Sequence, residues 1–231
     1  MAAKKQLREY ESKRRFDRTP EPRGDAATAR SGETADETGD APCFVVQIHD
    51  ASTLHFDFRL EVEGVLASWS VPKGPSTDPG DKRLAMPTED HPLEYREFEG
   101  VIEEGEYGAG TVIVWDEGTY RPLTRDRRKR PVPFAEALRD GHVSFRLDGG
   151  KLHGSYALTR FRGGGDQGGR ESWLLVKEKE KDSRGKDQAK TDAKDSRGGT
   201  PDPTRAKSAR TGRTLRQVAA EEGAKARSAG A

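Results

Sequence analysis

The sequence predicts an all-β protein, a small antiparallel β-barrel with one or two short flanking helices and disordered termini. Short runs rich in β-branched and aromatic residues recur from Phe44 to Lys177, and Gly, Pro and Asp separate them at close spacing. Within the clearest run the apolar residues alternate with the period of two that a half-buried strand requires. Seven such runs fit a closed or nearly closed barrel, because closure removes exposed edges.

In chain order, residues 1–42 form an N-terminal arm and a flexible linker. From Ala27 to Pro42 the chain is dominated by Ala, Gly, Thr, Ser and acidic residues and shows no apolar period. The barrel domain is expected over residues 43–178, with strands at Phe44–Ile48, Leu54–Val62, Val65–Val71, Thr111–Asp116, His142–Leu147, Gly154–Arg160 and Trp173–Lys177. The segment Pro133–Asp140 reads as a helix. Trp69, Trp115 and Trp173 all fall in strand-like runs, where core packing is the expectation ahead of base stacking. Residues 179–231 read as a disordered basic tail: the stretch 178–231 holds 14 Lys and Arg against 9 Asp and Glu and no aromatic residue. Such a tail either scans polyanions weakly or only solubilises, and a short helix at Thr214–Glu222 is the one element it offers.

Composition narrows the function. With 31% hydrophobic and 35% charged residues and a mean hydropathy of −0.96, part of the 231-residue chain cannot bury enough surface to fold. One domain plus tails is the expectation. No window approaches the roughly 20 apolar residues of a membrane span, and no apolar stretch follows the early Lys and Arg residues as in a secretory signal. The single cysteine, Cys43, has no internal partner, so the cytoplasm is the expected compartment. The net charge of +1 decides nothing, since a neutral total hides local basic patches.

The chemistry concentrates in His49-Asp-Ala-Ser-Thr-Leu-His55-Phe-Asp57-Phe-Arg59-Leu-Glu61-Val. Strict alternation from residue 55 to 62 puts His55, Asp57, Arg59 and Glu61 on one face of a strand and Phe56, Phe58, Leu60 and Val62 on the other. Side chains two apart on a strand lie roughly 7 Å from each other, close enough to share an ion. A tight turn through Ala51 and Ser52 brings His49 back beside His55. Two imidazoles and a carboxylate leave coordination positions open, as a hydrolytic metal site requires. Arg59 adds a planar fork of donors suited to phosphate. The plainer alternative is that His49 caps a turn and Asp57 pairs with Arg59 as an ordinary ion pair.

A second cluster, Glu89-Asp-His91-Pro-Leu-Glu-Tyr95, offers His91 for a phosphate oxygen or a leaving group and the Tyr95 hydroxyl for the same anion, against the alternative of a loop histidine and a packed tyrosine. Lys73 and Arg83 flank the Pro- and Gly-rich loop that begins at Val71, and either extend a positive surface or are solvated charges. Gly105-Glu-Tyr-Gly-Ala-Gly110 precedes a strand and opens no helix, so it is a turn and not a dinucleotide fingerprint. The run Arg125–Arg130 is a loop that either meets phosphates or is solvated.

Taken together, these stretches resemble the 3′-phosphoesterase domain of bacterial DNA ligase D. The resemblance runs from Phe44-Val-Val-Gln-Ile-His-Asp-Ala-Ser through Leu54-His-Phe-Asp-Phe-Arg-Leu-Glu, Trp69-Ser-Val-Pro-Lys-Gly-Pro, Glu89-Asp-His-Pro-Leu and Gly105-Glu-Tyr-Gly-Ala-Gly to Val114-Trp-Asp, and more weakly through Lys151-Leu-His-Gly and Trp173-Leu-Leu-Val-Lys. It implies a manganese-dependent hydrolase of end-joining DNA repair, built on a small barrel, that removes a 3′-terminal ribonucleoside and then the 3′-phosphate to leave a 3′-hydroxyl. Co²⁺ and Zn²⁺ are the substitutes considered for Mn²⁺. By position it implies His49, His55 and Asp57 as metal ligands, Arg59, His91 and Tyr95 as catalytic, and Gln47, Lys73, Arg83 and Glu89 as substrate-binding.

The family's N-terminal arm is matched by Tyr10-Glu-Ser-Lys-Arg14-Arg15-Phe16-Asp-Arg-Thr-Pro-Glu21-Pro, which adds Arg14 and Glu21 to the substrate-binding set. Arg15 stands where the family has an acidic residue, with Asp17 as the nearby substitute. DNA 3′ ends on primer-templates are the expected substrate, a monomer the expected state, and a separate DNA ligase or a Ku-like protein the expected partner, since no ligase or polymerase domain follows. Two rivals stay open: a non-haem iron oxygenase, which also uses two His and a carboxylate in a barrel, and a catalytically silent module that binds DNA ends.

Overall fold

The structure is a computed structural model that describes residues 5–24, 41–162, 171–179 and 202–224. Most of the expected linker, residues 25–40, lies outside the described residues, as do 180–201 and 225–231 of the expected tail.

The described elements are α1 (Arg8–Ser12), β1 (Cys43–Asp50), β2 (Leu54–Val62), β3 (Val65–Val71), β4 (Lys82–Pro87), a 3-10 turn (Leu93–Glu97), β5 (Gly100–Ile102), β6 (Gly110–Pro122), α2 (Phe134–Asp140), β7 (His142–Gly149), β8 (His153–Arg162), β9 (Glu171–Lys177) and α3 (Leu215–Glu221). All the strand pairings are antiparallel. Hydrogen bonding runs β1-β2-β3-β4-β9-β8-β7-β6, and β6 pairs back onto β1, so eight strands close a barrel while β5 adds to the first residues of β6. Because β1 is paired on both sides, its backbone donors and acceptors are answered along its length, and its register with β2 is rigidly set. All seven expected strands are present, and the expected helix forms over Phe134–Asp140.

The alternation read from β2 sorts the two faces of the wall. Phe44, Val46 and Ile48 of β1, Phe56, Phe58 and Leu60 of β2, Trp69 of β3, Phe145 of β7, Tyr156 of β8 and Trp173 of β9 join one apolar cluster that fills the barrel. Phe145 stacks on Phe58 at 6.0 Å and on Tyr156 at 6.5 Å between ring centres, and Trp69 meets Trp173 edge-on at 6.0 Å. All three tryptophans are buried, as expected of core indoles. The opposite, outer face of β1, β3 and β6 carries a second apolar cluster, with Val45, Leu66, Val112 and Val114 under Tyr10, Tyr95, Phe98 and Ile102. Here the wall is covered on its outside by the arm and by the segment that follows β4, and the polar face of β2 is buried with it.

The C-terminal segment departs from the expected disordered tail. Residues 202–224 pack on the barrel, and Leu215, Val218 and Ala219 of α3 are buried. Thr214 starts α3 with a capping box: its side chain takes the Gln217 N–H while the Gln217 side chain takes the Thr214 N–H. Arginines on the segment meet carboxylates on the barrel, with Arg210 at 2.9 Å from Glu117 and Arg213 at 3.6 Å from Glu99. The Lys151 ammonium is bonded to the Trp115 and Lys207 carbonyls, which ties the segment to the β7–β8 turn. Three apolar residues at helical spacing are too few to signal docking within so polar a stretch, and the acidic residues that receive the arginines lie about a hundred positions away.

Among the described residues no helix is long and apolar enough to cross a membrane.

Candidate metal centre and active site

His49 and His55 sit directly opposite each other on β1 and β2, and Asp57 follows on the same face, opposite Gln47. One donor atom from each of His49, His55 and Asp57 falls within 4.8 Å of the others. Asp57 Oδ1 is 3.5 Å from His55 Nε2, and Asp57 Oδ2 is 3.8 Å from His49 Nδ1.

The remaining ring nitrogens are engaged. His49 Nε2 lies 2.8 Å from the Gly108 carbonyl and His55 Nδ1 lies 2.7 Å from the Thr53 carbonyl. A carbonyl only accepts, so each of these nitrogens carries the proton, and the lone pairs of His49 Nδ1 and His55 Nε2 are left to converge beside Asp57. Gly108 holds a φ of +77°, which a glycine adopts without strain, and this conformation presents its carbonyl to His49. At Gly110 a Cβ would lie 2.3 Å from the Asp50 carbonyl oxygen, so only glycine lets β6 approach β1 here.

Two neutral imidazoles with fixed tautomers and one carboxylate are a donor set that fits a divalent transition ion. Burial by itself would raise the Asp57 carboxyl, but the Arg59 guanidinium and the two imidazoles outweigh it and hold the carboxyl well below the usual range. Burial opposes a proton on His55, yet its bonds to Asp57 and Thr53 prevail and raise its pKa, so a cation would compete with that proton.

Arg59 is buried and is held at each of its three guanidinium nitrogens. Its Nη2 donates to Asp57 Oδ2 at 3.0 Å, its Nε to Gln47 Oε1 at 2.9 Å and its Nη1 to Ser68 Oγ at 2.9 Å. Gln47 is held in turn, donating to the Tyr95 and Phe98 carbonyls at 3.0 Å each. Ser68 stands opposite Arg59 on β3 and passes its own proton to the Leu66 carbonyl at 2.8 Å.

His91 is pinned by a backbone bridge to Leu66 and lies between two guanidiniums, with Nδ1 at 2.9 Å from Arg59 Nη1 and Nε2 at 3.3 Å from Arg14 Nη2. Its Nδ1 faces the Glu89 carbonyl at 2.8 Å, which places the proton there and leaves Nε2 to accept from Arg14. Burial and the two flanking cations push the ring well below the ordinary histidine range, so it rests neutral.

The arm completes the cluster. Tyr10 is fully buried, donates to the Pro22 carbonyl at 2.6 Å and carries the Arg14 guanidinium 3.7 Å above its ring. Arg14 bonds Glu21 at 2.9 Å and Glu89 at 3.0 Å, and Lys13 reaches Glu89 at 3.1 Å. Tyr95 is buried beneath Arg59, 4.9 Å from its guanidinium carbon, and its hydroxyl donates to Glu21 at 3.0 Å. Arg15, in the place of the acidic residue, bonds Glu106 through two nitrogens at 2.5 and 3.1 Å, while Asp17 is exposed.

The fold thus brings His49, His55, Asp57, Arg59, His91, Tyr95, Arg14, Glu21, Gln47 and Glu89 into one network. Lys73 is exposed in the turn after β3, and Arg83 on β4 is bonded to Asp81 at 2.6 Å. The Arg125–Arg130 run is an exposed turn in which Asp126 answers Arg130 at 2.7 Å. Sequence reading missed Tyr10, Lys13, Ser68 and Thr19, whose hydroxyl donates to Glu21 Oε2 at 2.8 Å, as supports of the site. Of these, only Ser68 had a signal, its place on the Arg59 face of the neighbouring strand.

Residues 47–160 match the family model described as the DNA Ligase D 3′-phosphoesterase domain, a span that holds the three candidate ligands, Arg59, His91 and Tyr95. The chain belongs to the DNA ligase D 3′-phosphoesterase domain family. It is 48% identical over 188 residues to the multifunctional non-homologous end joining protein LigD of Pseudomonas aeruginosa, which covers 81% of this chain and 20% of that protein. The multifunctional non-homologous end joining DNA repair protein LigD of Mycobacterium tuberculosis is 46% identical over 157 residues, 68% of this chain and 18% of that one. The LigD protein of Mycolicibacterium smegmatis is 38% identical over 187 residues, 79% of this chain and 22% of its own. The chain spans about a fifth of the length of these relatives.

Proposed function

We propose that this chain is a Mn²⁺-dependent 3′-phosphoesterase of DNA end repair that removes a 3′-phosphate, and a 3′-terminal ribonucleoside where one is present, to leave a 3′-hydroxyl. The observation that carries the reading is the convergence of His49, His55 and Asp57 within 4.8 Å, with Arg59 bonded to the same carboxylate. Membership of the phosphoesterase family and likeness to end-joining proteins support the substrate.

His49, His55 and Asp57 would hold the cation, which when bound supplies Lewis-acid polarisation of a phosphoryl oxygen and lowers the pKa of water. Arg59 needs no reorganisation to stabilise charge that develops on the phosphoryl group, because Gln47, Ser68 and Asp57 fix its plane in advance. Arg14 supplies a second guanidinium across His91. An incoming phosphate dianion brings the countercharge that lets the neutral His91 ring take up a proton, which it then donates to the leaving oxygen. Tyr95 acts from below, through Glu21 and Arg59, rather than on the phosphate. Lys73 and Arg83 are assigned to the path of the DNA backbone beyond the reacting group.

The test is phosphate release from end-labelled primer-templates bearing a 3′-phosphate or a 3′-ribonucleotide. Mn²⁺ should support release after chelator treatment, and His55→Ala should abolish it. Release that persists unchanged in His55→Ala at saturating Mn²⁺ sinks the reading. Turnover that stops under nitrogen points to oxygen chemistry, and binding without turnover across several metals points to a silent end-binding module.

A further inference from the structure

Among the described residues the large apolar side chains that stay exposed are Leu84, Met86, Tyr107 and Leu123, and only Tyr107, at 48% exposure, is aromatic and beside the site. Its chain neighbours are both fastened. Glu106 is bonded to Arg15 of the arm, and the Gly108 carbonyl holds the His49 ring at 2.8 Å. The hydroxyl end of the ring is anchored too, 3.4 Å from Lys13 Nζ and 3.5 Å from Glu89 Oε2. Two cations lie against it, Lys13 Nζ at 4.8 Å and the Arg14 guanidinium at 5.6 Å from the ring centre.

A ring held at one end, backed by cations and open over much of its surface is a platform for another flat π-system. The ligand to be expected one residue from a phosphate-processing centre is a nucleobase. The phosphate of a strand end would lie among Arg59, Arg14 and His91, and the base attached to the same nucleotide would reach the rim. We propose that Tyr107 stacks on the terminal base of the strand whose 3′ end enters the site. This deepens the phosphoesterase reading and rests on it. Stacking tolerates every base, which suits an enzyme that must act on ends of any sequence.

The competing role is that the hydroxyl merely fastens Lys13 and Glu89. Two substitutions separate these roles: Tyr107→Phe keeps the ring and loses the hydroxyl, whereas Tyr107→Leu keeps apolar bulk and loses the ring. The full chain with Mn²⁺ is assayed on 3′-phosphate strands that end in an ordinary nucleotide or in an abasic one. Tyr107→Leu should raise KM for the base-bearing end by about tenfold or more, the size of a lost base–aromatic stack, with kcat little changed and the preference over the abasic end gone. Tyr107→Phe should behave as the wild type.

In a parallel measurement without metal, terminal 2-aminopurine fluorescence should be quenched on binding to the wild type and Tyr107→Phe but not to Tyr107→Leu. A leucine variant that keeps the base preference and the quench overturns the proposal, as does a phenylalanine variant that loses as much as leucine. A wild type that hydrolyses neither strand refutes the phosphoesterase reading instead, and the quenching then decides on stacking alone: present it supports the platform, absent it overturns it.

Discussion

Asp57 Oδ2 lies 3.0 Å from Arg59 Nη2 and 3.8 Å from His49 Nδ1, so one carboxylate oxygen joins the guanidinium to the candidate metal ligands. The two functions proposed for the site, holding a cation and holding a phosphate, would thereby be coupled through a single group.

Arg59→Lys should separate them. A lysine ammonium cannot bond Gln47, Ser68 and Asp57 in the plane that the guanidinium spans. Turnover on 3′-phosphate ends should fall by about 10²- to 10³-fold, the usual cost of a lost transition-state donor, while Mn²⁺ binding followed by calorimetry persists. Turnover within threefold of the wild type contradicts the assignment.

Gly108→Ala tests how the His49 ring is held. A Cβ there would lie 3.7 Å from His49 Cε1, so space exists, but the φ of +77° strains any side chain by about 1 kcal/mol. The loop should shift, the carbonyl should leave the ring, and Mn²⁺ affinity should drop by about tenfold or more. Unchanged affinity would show that the carbonyl does not position the ligand.

Arg15→Asp replaces the Glu106 partner with a like charge. Arg15 is exposed, so solvent screening should keep the loss of stability small. Limited proteolysis is the sensitive measurement: cleavage of the arm should quicken, and Glu106→Arg in the same chain should restore protection. Equal cleavage of all three proteins removes the pair from the arm's docking.

Asp90 predicts a pH effect of defined sign. Its burial, with Glu9 and Glu89 nearby, raises the carboxyl to about 6 from 3.8. The folded chain therefore binds this proton more tightly than the unfolded chain. The contribution is fully present below about pH 4 and is lost as pH rises through 6, at most about 3 kcal/mol. Asp90→Asn should raise the melting temperature relative to the wild type at pH 8, and the gap should close at pH 4. A gap independent of pH would assign the effect to something other than ionisation.

The docked C-terminal segment is testable by its apolar anchors. Leu215→Ala should cost about 2–4 kcal/mol by chemical denaturation, as a buried leucine does, and Thr214→Ala about 1 kcal/mol through the lost cap. Values near zero for both would mean that the segment contributes nothing to stability.

What the sequence made legible was local. The alternation from His55 to Val62 revealed β2 and both of its faces, and the turn at Ala51 and Ser52 was enough to pair His49 with His55. The strands β4 and β5 were not legible. Lys82–Pro87 carries two basic residues and a proline, and Gly100–Ile102 is three residues long, so neither shows a period. The support of the site was hidden for a different reason. Arg14 meets Glu89 across 75 positions, and Gln47 reaches Arg59 only because β1 and β2 pair in one register. Distances of that kind follow from closure of the barrel, which residue patterns announce only as a class.

The barrel's interior is packed with rings, and its reactive groups ride on the flank. The described residues put His49, His55 and Asp57 on the outer face of the wall and not in the ring-filled interior, so in the proposed reaction a strand end would approach from the side. Whatever approaches the cluster therefore meets the arm as well as the wall, because the Arg14 guanidinium lies 3.3 Å from the His91 ring.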